Sequence, residues 1–317
     1  MTRNLRLVAP IFSAIIAFAA SSAPVRAWDK FAHIVVAQIA YDRMTPAARK
    51  EADRLIGVFA KDPDAVAAFD QYKPYTFVTA AAWMDDMRGW NKTYNTWHYI
   101  DLPIGDKRPE SVDDVRVYKD ENSSNVCDAL ENKCLPALRS KSSTDAEKAR
   151  ALAMLLHLAG DIHQPLHAVG VAAGGNRIAI VELPSADPNW RVTNLHAFWD
   201  NAYRYENKAG SVAIAVPFSD LPRTALPIGS GVAKELASRF EAEDAPGADD
   251  VAETRPAAWA LESNRIAADF AIPASDAPSP WTVTPEYAAK ASDISRHRLA
   301  LAGWRIAAIL NDAFGGQ

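Results

Sequence analysis

Only two of the 317 residues are cysteine, Cys127 and Cys134. That scarcity excludes a fold held together by disulfides. A single bridge between them would staple a short surface loop rather than stabilise the whole fold. Long apolar runs are also missing: beyond the first 27 residues no segment could span a bilayer. Neither a Walker-type glycine-rich loop nor a Gly-x-Ser-x-Gly elbow occurs, so two common hydrolytic solutions have no support. Basic charge is not in excess, with 34 Lys and Arg against 39 Asp and Glu for a net charge of −5. This balance argues against a general nucleic-acid coat protein. It leaves room for an enzyme on nucleic acid, because bound divalent cations would add positive charge that side-chain counting misses.

What is present begins with a leader. Arg3 and Arg6 precede an apolar run from Leu7 to Ala20 and a small-residue segment ending Val25-Arg26-Ala27. This is the grammar of an export signal cleaved after Ala27. Residues 1–27 are therefore expected to be a signal peptide and residues 28–317 one domain, periplasmic or secreted, with no membrane anchor after processing. Cleavage removes Arg3, Arg6 and Arg26 and no acid, shifting the charge from −5 to −8. In an exported chain, Cys127 and Cys134 are expected to pair.

The rest reads as a row of helices. Asp29 caps a periodic set Phe31, Ile34, Val35, Ile39, and Thr45-Pro46 opens a second helix. An apolar segment from Pro74 through Trp83 stops at Gly89. Thr144 and Glu147 form a capping box ahead of a helix through His157 and Asp161, closed by Pro165. Arg177 to Leu183 could be a strand or hairpin arm, and helix resumes from Asn194. Glu241–Asp250 and Ala271–Pro280 look like surface connections, and Thr284-Pro285 opens a long final helix to Phe314. With no repeat and no charged tail, the expected fold is mainly α: a single globular multi-helix domain with room for a small β-hairpin.

Seven histidines occur: His33, His98, His157, His163, His167, His196 and His297. His157 and Asp161 stand at i, i+4, so both project from one helical face. His196 and Asp200 repeat that spacing. A lone pair of this kind is more often a hydrogen bond than a metal site. Two pairs, with His167 close behind the first and His33 and His98 in apolar frames, favour metal. Imidazole with carboxylate suits zinc. Zinc provides what phosphodiester hydrolysis lacks near neutrality, an accessible hydroxide and neutralisation of phosphate charge.

The segments His157-Leu-Ala-Gly-Asp-Ile-His-Gln-Pro-Leu-His167, Gly174-Gly-Asn176, Asn194-Leu-His-Ala-Phe-Trp-Asp200 and Trp97-His-Tyr-Ile-Asp101 resemble the type I, or S1/P1, nucleases. These are zinc-dependent and single-strand-specific. The resemblance implies a cluster of three zinc ions at the bottom of a cleft. Asp85, His98, His157 and Asp161 would hold one ion. Trp28, through its freed amine and carbonyl, would hold a close neighbour with His33 and a bridging Asp161. His167, His196 and Asp200 would hold the third. It also implies that Asp85 activates the attacking water and Arg88 neutralises the transition state. Tyr99 would stack on a base, while Asp101 and Asn176 contact its edge. Products would carry 5′-phosphate and 3′-hydroxyl ends. Single-stranded DNA and RNA and 3′-mononucleotides are the implied substrates, with no obligate protein partner. His163 is expected to hydrogen-bond near the site and His297 to be an ordinary helix residue.

The chain departs from the family pattern at Asp29, where glycine is common, and at Val171-Ala-Ala173, a small-residue wall for the base pocket. Two alternatives stand beside the nuclease. A zinc-dependent phospholipase C shares the leading Trp, but has its first His farther away and a Glu as last carboxylate. A non-catalytic zinc-binding periplasmic protein would have little need for Arg88, Asp101 and Asn176.

Overall fold

Asp29 starts the first helix, Lys30–Arg43, by accepting the Ala32 amide on Oδ1 at 2.9 Å. The same carboxylate accepts the Tyr203 hydroxyl at 2.8 Å and pairs with Arg204. At this departure from the family pattern, Asp29 therefore caps the helix and ties it to Tyr203 and Arg204. The coordinates are a computed structural model, which describes residues 28–68, 73–87, 92–118, 124–183, 191–208, 211–214 and 231–315. The expected signal peptide and Arg88 lie outside these residues. No described helix is long and apolar enough to cross a membrane.

The first helix is buried on every side from Phe31 to Ala40. A helix with no polar face belongs at the centre of a bundle, and its neighbours supply that setting. Helix Pro285–Phe314, helix Gly231–Glu243 and the short helix Phe77–Ala80 pack around it. Contact with the last helix is close because Gly303 has no side chain. A Cβ there would lie 2.6 Å from Ile39 Cβ and 2.9 Å from the Val36 carbonyl. Helix Pro46–Phe59 lies against the helix Asp145–Ile162, which is buried throughout its second half. The β structure is slight. Ala179–Leu183 pairs antiparallel with Val192–Asn194, and Tyr205–Lys208 with Ser211–Ile214.

Three expectations need correction. The apolar segment from Pro74 is two short helices, Phe77–Ala80 and Trp83–Met87, parted at Ala81-Ala82. The Ala81 carbonyl at that break accepts from His157 Nδ1 at 2.7 Å. The connection expected over Glu241–Asp250 is partly helical: Gly231–Glu243, anchored by buried Leu236, Ala237 and Phe240, runs into its start, and Ala248–Ala252 begins before its end. Cys127 and Cys134 are buried and not joined. They sit on one continuous helical run, Val126–Arg139 with a π-turn at Leu130–Cys134. Seven helical residues separate Cα atoms by about 10 Å, whereas a disulfide tolerates about 7 Å. Burial also pushes the Cys134 thiol up to about 12.

A buried ionic network fastens the end of the Asp145–Ile162 helix. Glu262 receives Arg305 Nη2 at 2.7 Å and Arg298 Nη1 at 2.6 Å. Arg305 Nη1 donates to His163 Nε2 at 2.9 Å, and Arg298 Nε donates to the His163 carbonyl at 3.1 Å. His163, two residues past Asp161, therefore serves this network, with Nδ1 donating to Ala159 O at 2.7 Å. Burial, then the charges of Arg298 and Arg305, hold its pKa well below the usual value. Burial alone would raise Glu262, but the Arg305 hydrogen bond and the Arg298 charge outweigh it and bring it from 4.5 to about 2. Its stabilising contribution is therefore full above pH 4.5 and fades as pH falls toward 2. Glu262→Gln should melt below wild type at pH 7, with the gap closing over that acid window. A constant gap in melts across pH would contradict the assignment.

Candidate metal centre

The Thr144/Glu147 box closes as the spacing requires, with Glu147 N donating to Thr144 Oγ1 at 3.2 Å and Thr144 N to Glu147 Oε2 at 2.7 Å. One turn of the helix then brings His157 Nε2 to 3.3 Å from Asp161 Oδ2. His33, from the first helix, stacks on His157 with ring centres 3.8 Å apart. Only glycine at position 160 allows that approach, since a Cβ there would lie 2.8 Å from His33 Nδ1. The Gly160 carbonyl accepts Trp28 Nε1 at 2.9 Å, which holds the fully buried Trp28 ring beside the same turn.

The 3-10 turn Thr96–His98 delivers His98, whose Nδ1 lies 2.9 Å from Asp161 Oδ2 and 3.1 Å from His157 Nε2. Asp85, on Trp83–Met87, is 3.9 Å from His157 Nε2. The two oxygens of Asp161 thus face different partners: Oδ1 faces His33 at 3.2 Å, and Oδ2 faces His98 and His157. Six residues past Asp161, His167 meets His196 across 29 positions of chain, Nε2 to Nε2 at 3.2 Å, with Asp200 Oδ1 3.6 Å from His196. Three groups result, His33/His157/Asp161, Asp85/His98/His157 and His167/His196/Asp200, and in each the donor atoms lie within 4.8 Å of one another.

Hydrogen bonding to the far side of the rings prepares them for a cation. His157, His167 and His196 each direct Nδ1 to a backbone carbonyl, of Ala81, His98 and Gly174, at 2.7, 2.7 and 2.6 Å. A carbonyl only accepts, so Nδ1 carries the proton and Nε2 is left toward the cluster. In the third group two Nε2 atoms then face each other, and only a proton or a metal ion between them removes the lone-pair repulsion. Both ring nitrogens of His33 and Oδ1 of Asp161 are buried without a formed hydrogen bond. Such atoms, in an imidazole and carboxylate set, fit zinc.

The electrostatics follow from burial. Burial would raise Asp161, but the charge of His157 and the close approach of the His157, His33 and His98 rings hold it well below the carboxylate range. His33 is pushed down by burial and by His157. For His157 the Asp161 charge overcomes burial and raises it. Gln164 went unnoticed in sequence. Fully buried, it donates Nε2 to Asp200 Oδ1 at 2.8 Å and accepts Leu166 N on Oε1 at 2.6 Å, aiming the carboxylate. Its place inside the block from His157 to His167 was the available signal. His297 is half-buried on the last helix and belongs to none of the three groups.

A cleft of about 470 Å³ adjoins the third group. Tyr99, Asp101, Tyr118, Arg177 and His196 line it, together with Ala173 from the small-residue wall. Tyr118 is anchored by its hydroxyl on the Asp101 carbonyl at 2.8 Å. Asn176 is not among the lining residues, and its Nδ2 donates to Ala173 O at 2.8 Å within its own turn. That turn is left-handed over four residues, with φ of 49° at Ala172, 55° at Ala173, 60° at Gly174 and 81° at Gly175. Glycine accepts this without penalty, whereas each alanine costs about 1 kcal/mol or more. Ala172→Gly should therefore stabilise the protein by about 0.5–1 kcal/mol, read as a raised denaturation midpoint. A lowered midpoint would show that the alanines sit there without strain.

Helical framework, buried His/Asp groups that could hold metal and an adjoining cleft define a mainly helical protein built around candidate metal sites. A profile of the S1/P1 Nuclease family matches residues 28–315, and the chain belongs to that family. It is 27% identical over 295 residues to Nuclease S1 of Aspergillus oryzae, covering 90% of this chain and 91% of that one. It is 25% identical over 294 residues to Nuclease P1 of Penicillium citrinum, covering 92% and 99%. It is also 26% identical over 332 residues to Endonuclease 2 of Arabidopsis thaliana, covering 99% of each. The chain is thus a hydrolase of a nuclease family, with nucleic acid as its class of substrate.

Proposed function

We propose that this nuclease is exported, carries three zinc ions and cuts phosphodiester bonds of single-stranded DNA and RNA, and also 3′-mononucleotides, leaving 5′-phosphates and 3′-hydroxyls. The observation that carries the reading is three buried His/Asp donor groups, the third of which meets a cleft of about 470 Å³ through His196. Asp85, His98, His157 and Asp161 would hold one ion, Trp28, His33 and Asp161 its neighbour, and His167, His196 and Asp200 the third. Zinc in these positions supplies charge to neutralise the phosphate and makes water acidic enough to attack near neutral pH.

The remaining work falls to the chain. Asp85 accepts a proton from the attacking water on a carboxylate oxygen, and Arg88 offsets charge building on the phosphoryl oxygens. Tyr99 offers a ring face to a base, and Asp101 accepts from the base edge. Ring faces are exposed in unpaired strands, so single strands are preferred, and stacking tolerates any base. Support for removal of residues 1–27 comes from the family match itself, which starts at Trp28.

The test is a side-by-side assay of the zinc-loaded, processed protein on single- and double-stranded DNA, RNA, nucleoside 3′-monophosphates and phosphatidylcholine. Cleavage of single strands and 3′-monophosphates is expected. Lipid hydrolysis without nucleotide turnover would overturn the proposal.

A further inference from the structure

Arg177 is the single Arg or Lys among the described residues that line the cleft, and it is unexplained by the roles above. Its side chain is exposed. Among the described residues no carboxylate pairs with it, unlike Arg150 with Asp62 or Arg54 with Asp145. Its backbone is tied down, with Arg177 N donating to Ala172 O at 3.0 Å and Ile178 N to Gly175 O at 3.1 Å. The left-handed turn from Ala172 to Gly175 therefore does two things at once. It points the Gly174 carbonyl at His196, and it leaves Arg177 at the cleft.

We infer that Arg177 binds the phosphate on the 5′ side of the nucleotide held in the cleft, and so favours chains and 5′-phosphorylated substrates over bare 3′-mononucleotides. The inference rests on the proposed function and follows from the shape of a nucleotide. Its 3′-phosphate goes to the donor groups that include His196, and its base goes to Tyr99 and Asp101. The 5′ substituent is the arm left over, and an exposed lining cation remains to meet it. Arginine matches a phosphate with two parallel N–H donors. Asp101 in the same cleft would repel that phosphate, so an unpaired guanidinium is needed to make its approach favourable. At an exposed rim the contact is salt-screened and modest.

Two measurements test this on the processed protein. With zinc bound, kcat/KM is compared for a nucleoside 3′,5′-bisphosphate and the matching 3′-monophosphate. In Arg177→Gln the ratio of the two should fall about tenfold, Arg177→Lys should restore part of it, and the salt dependence of the bisphosphate reaction should flatten. Without zinc, calorimetry should show a nucleoside 5′-monophosphate binding more tightly than the nucleoside, and Arg177→Gln should erase that advantage. An unchanged ratio and an unchanged binding advantage, with the wild type turning over both nucleotides, would overturn the role of Arg177 alone. Failure of the zinc-loaded wild type on both nucleotides would instead overturn the nuclease reading.

Discussion

Asp161→Asn should strip two metal ions from the protein together and lower kcat on single-stranded DNA by at least about 10³-fold, the scale of losing the charge stabilisation that bound metal provides. The reason lies in its two oxygens. Oδ1 faces His33 at 3.2 Å, and Oδ2 faces His98 at 2.9 Å and His157 at 3.3 Å. An amide has one oxygen and no charge, so it can serve one side at most. Its N–H₂ on the other side would meet imidazole nitrogens meant for metal. Size is conserved and the residue is fully buried, so the fold should persist, which circular dichroism would verify. Loss of one ion only, with activity kept, would show that Asp161 does not bridge.

The second large effect concerns Trp28. One extra residue ahead of it would turn the proposed ligand amine into an amide, whose nitrogen lone pair is delocalised and binds metal poorly. Trp28 has no room to rearrange: the ring is fully buried and its Nε1 is fixed on the Gly160 carbonyl at 2.9 Å, in the turn that His33 packs against. Zinc should be lost from the His33 side while the His167/His196/Asp200 group keeps its ion. Activity should fall by about 10²-fold or more. Metal analysis by mass spectrometry, on protein with and without an added Ala before Trp28, reads the difference. Full zinc content with full turnover would remove the amine from the ligand set.

Much of the centre could be read in the chain because helices repeat locally. His157 with Asp161 and His196 with Asp200 needed only the i, i+4 rule, and the caps at Asp29, Thr45, Thr144 and Thr284 needed only the first turn. The pairing expected of Cys127 and Cys134 failed for the same local reason. The segment between them is helix rather than loop, and a helix holds such positions too far apart. Asn176 belonged to a legible motif, whereas the left-handed turn that sets its amide on Ala173 O and leaves Arg177 at the cleft did not show in the sequence.

By itself the sequence determined most of the helical order, the His and Asp side chains able to hold metal, and the family, because each depends on residues within a turn or two of one another. Tertiary structure decided how the rings are presented. The carbonyl that sets the His157 proton belongs to Ala81, 76 positions away, and the amide that aims Asp200 belongs to Gln164, 36 positions away. Gly160 and Gly303 reveal their purpose only against His33 and Ile39. Such partners carry no periodic signal. A backbone carbonyl looks the same in every residue, and only packing brings a particular one to a particular imidazole.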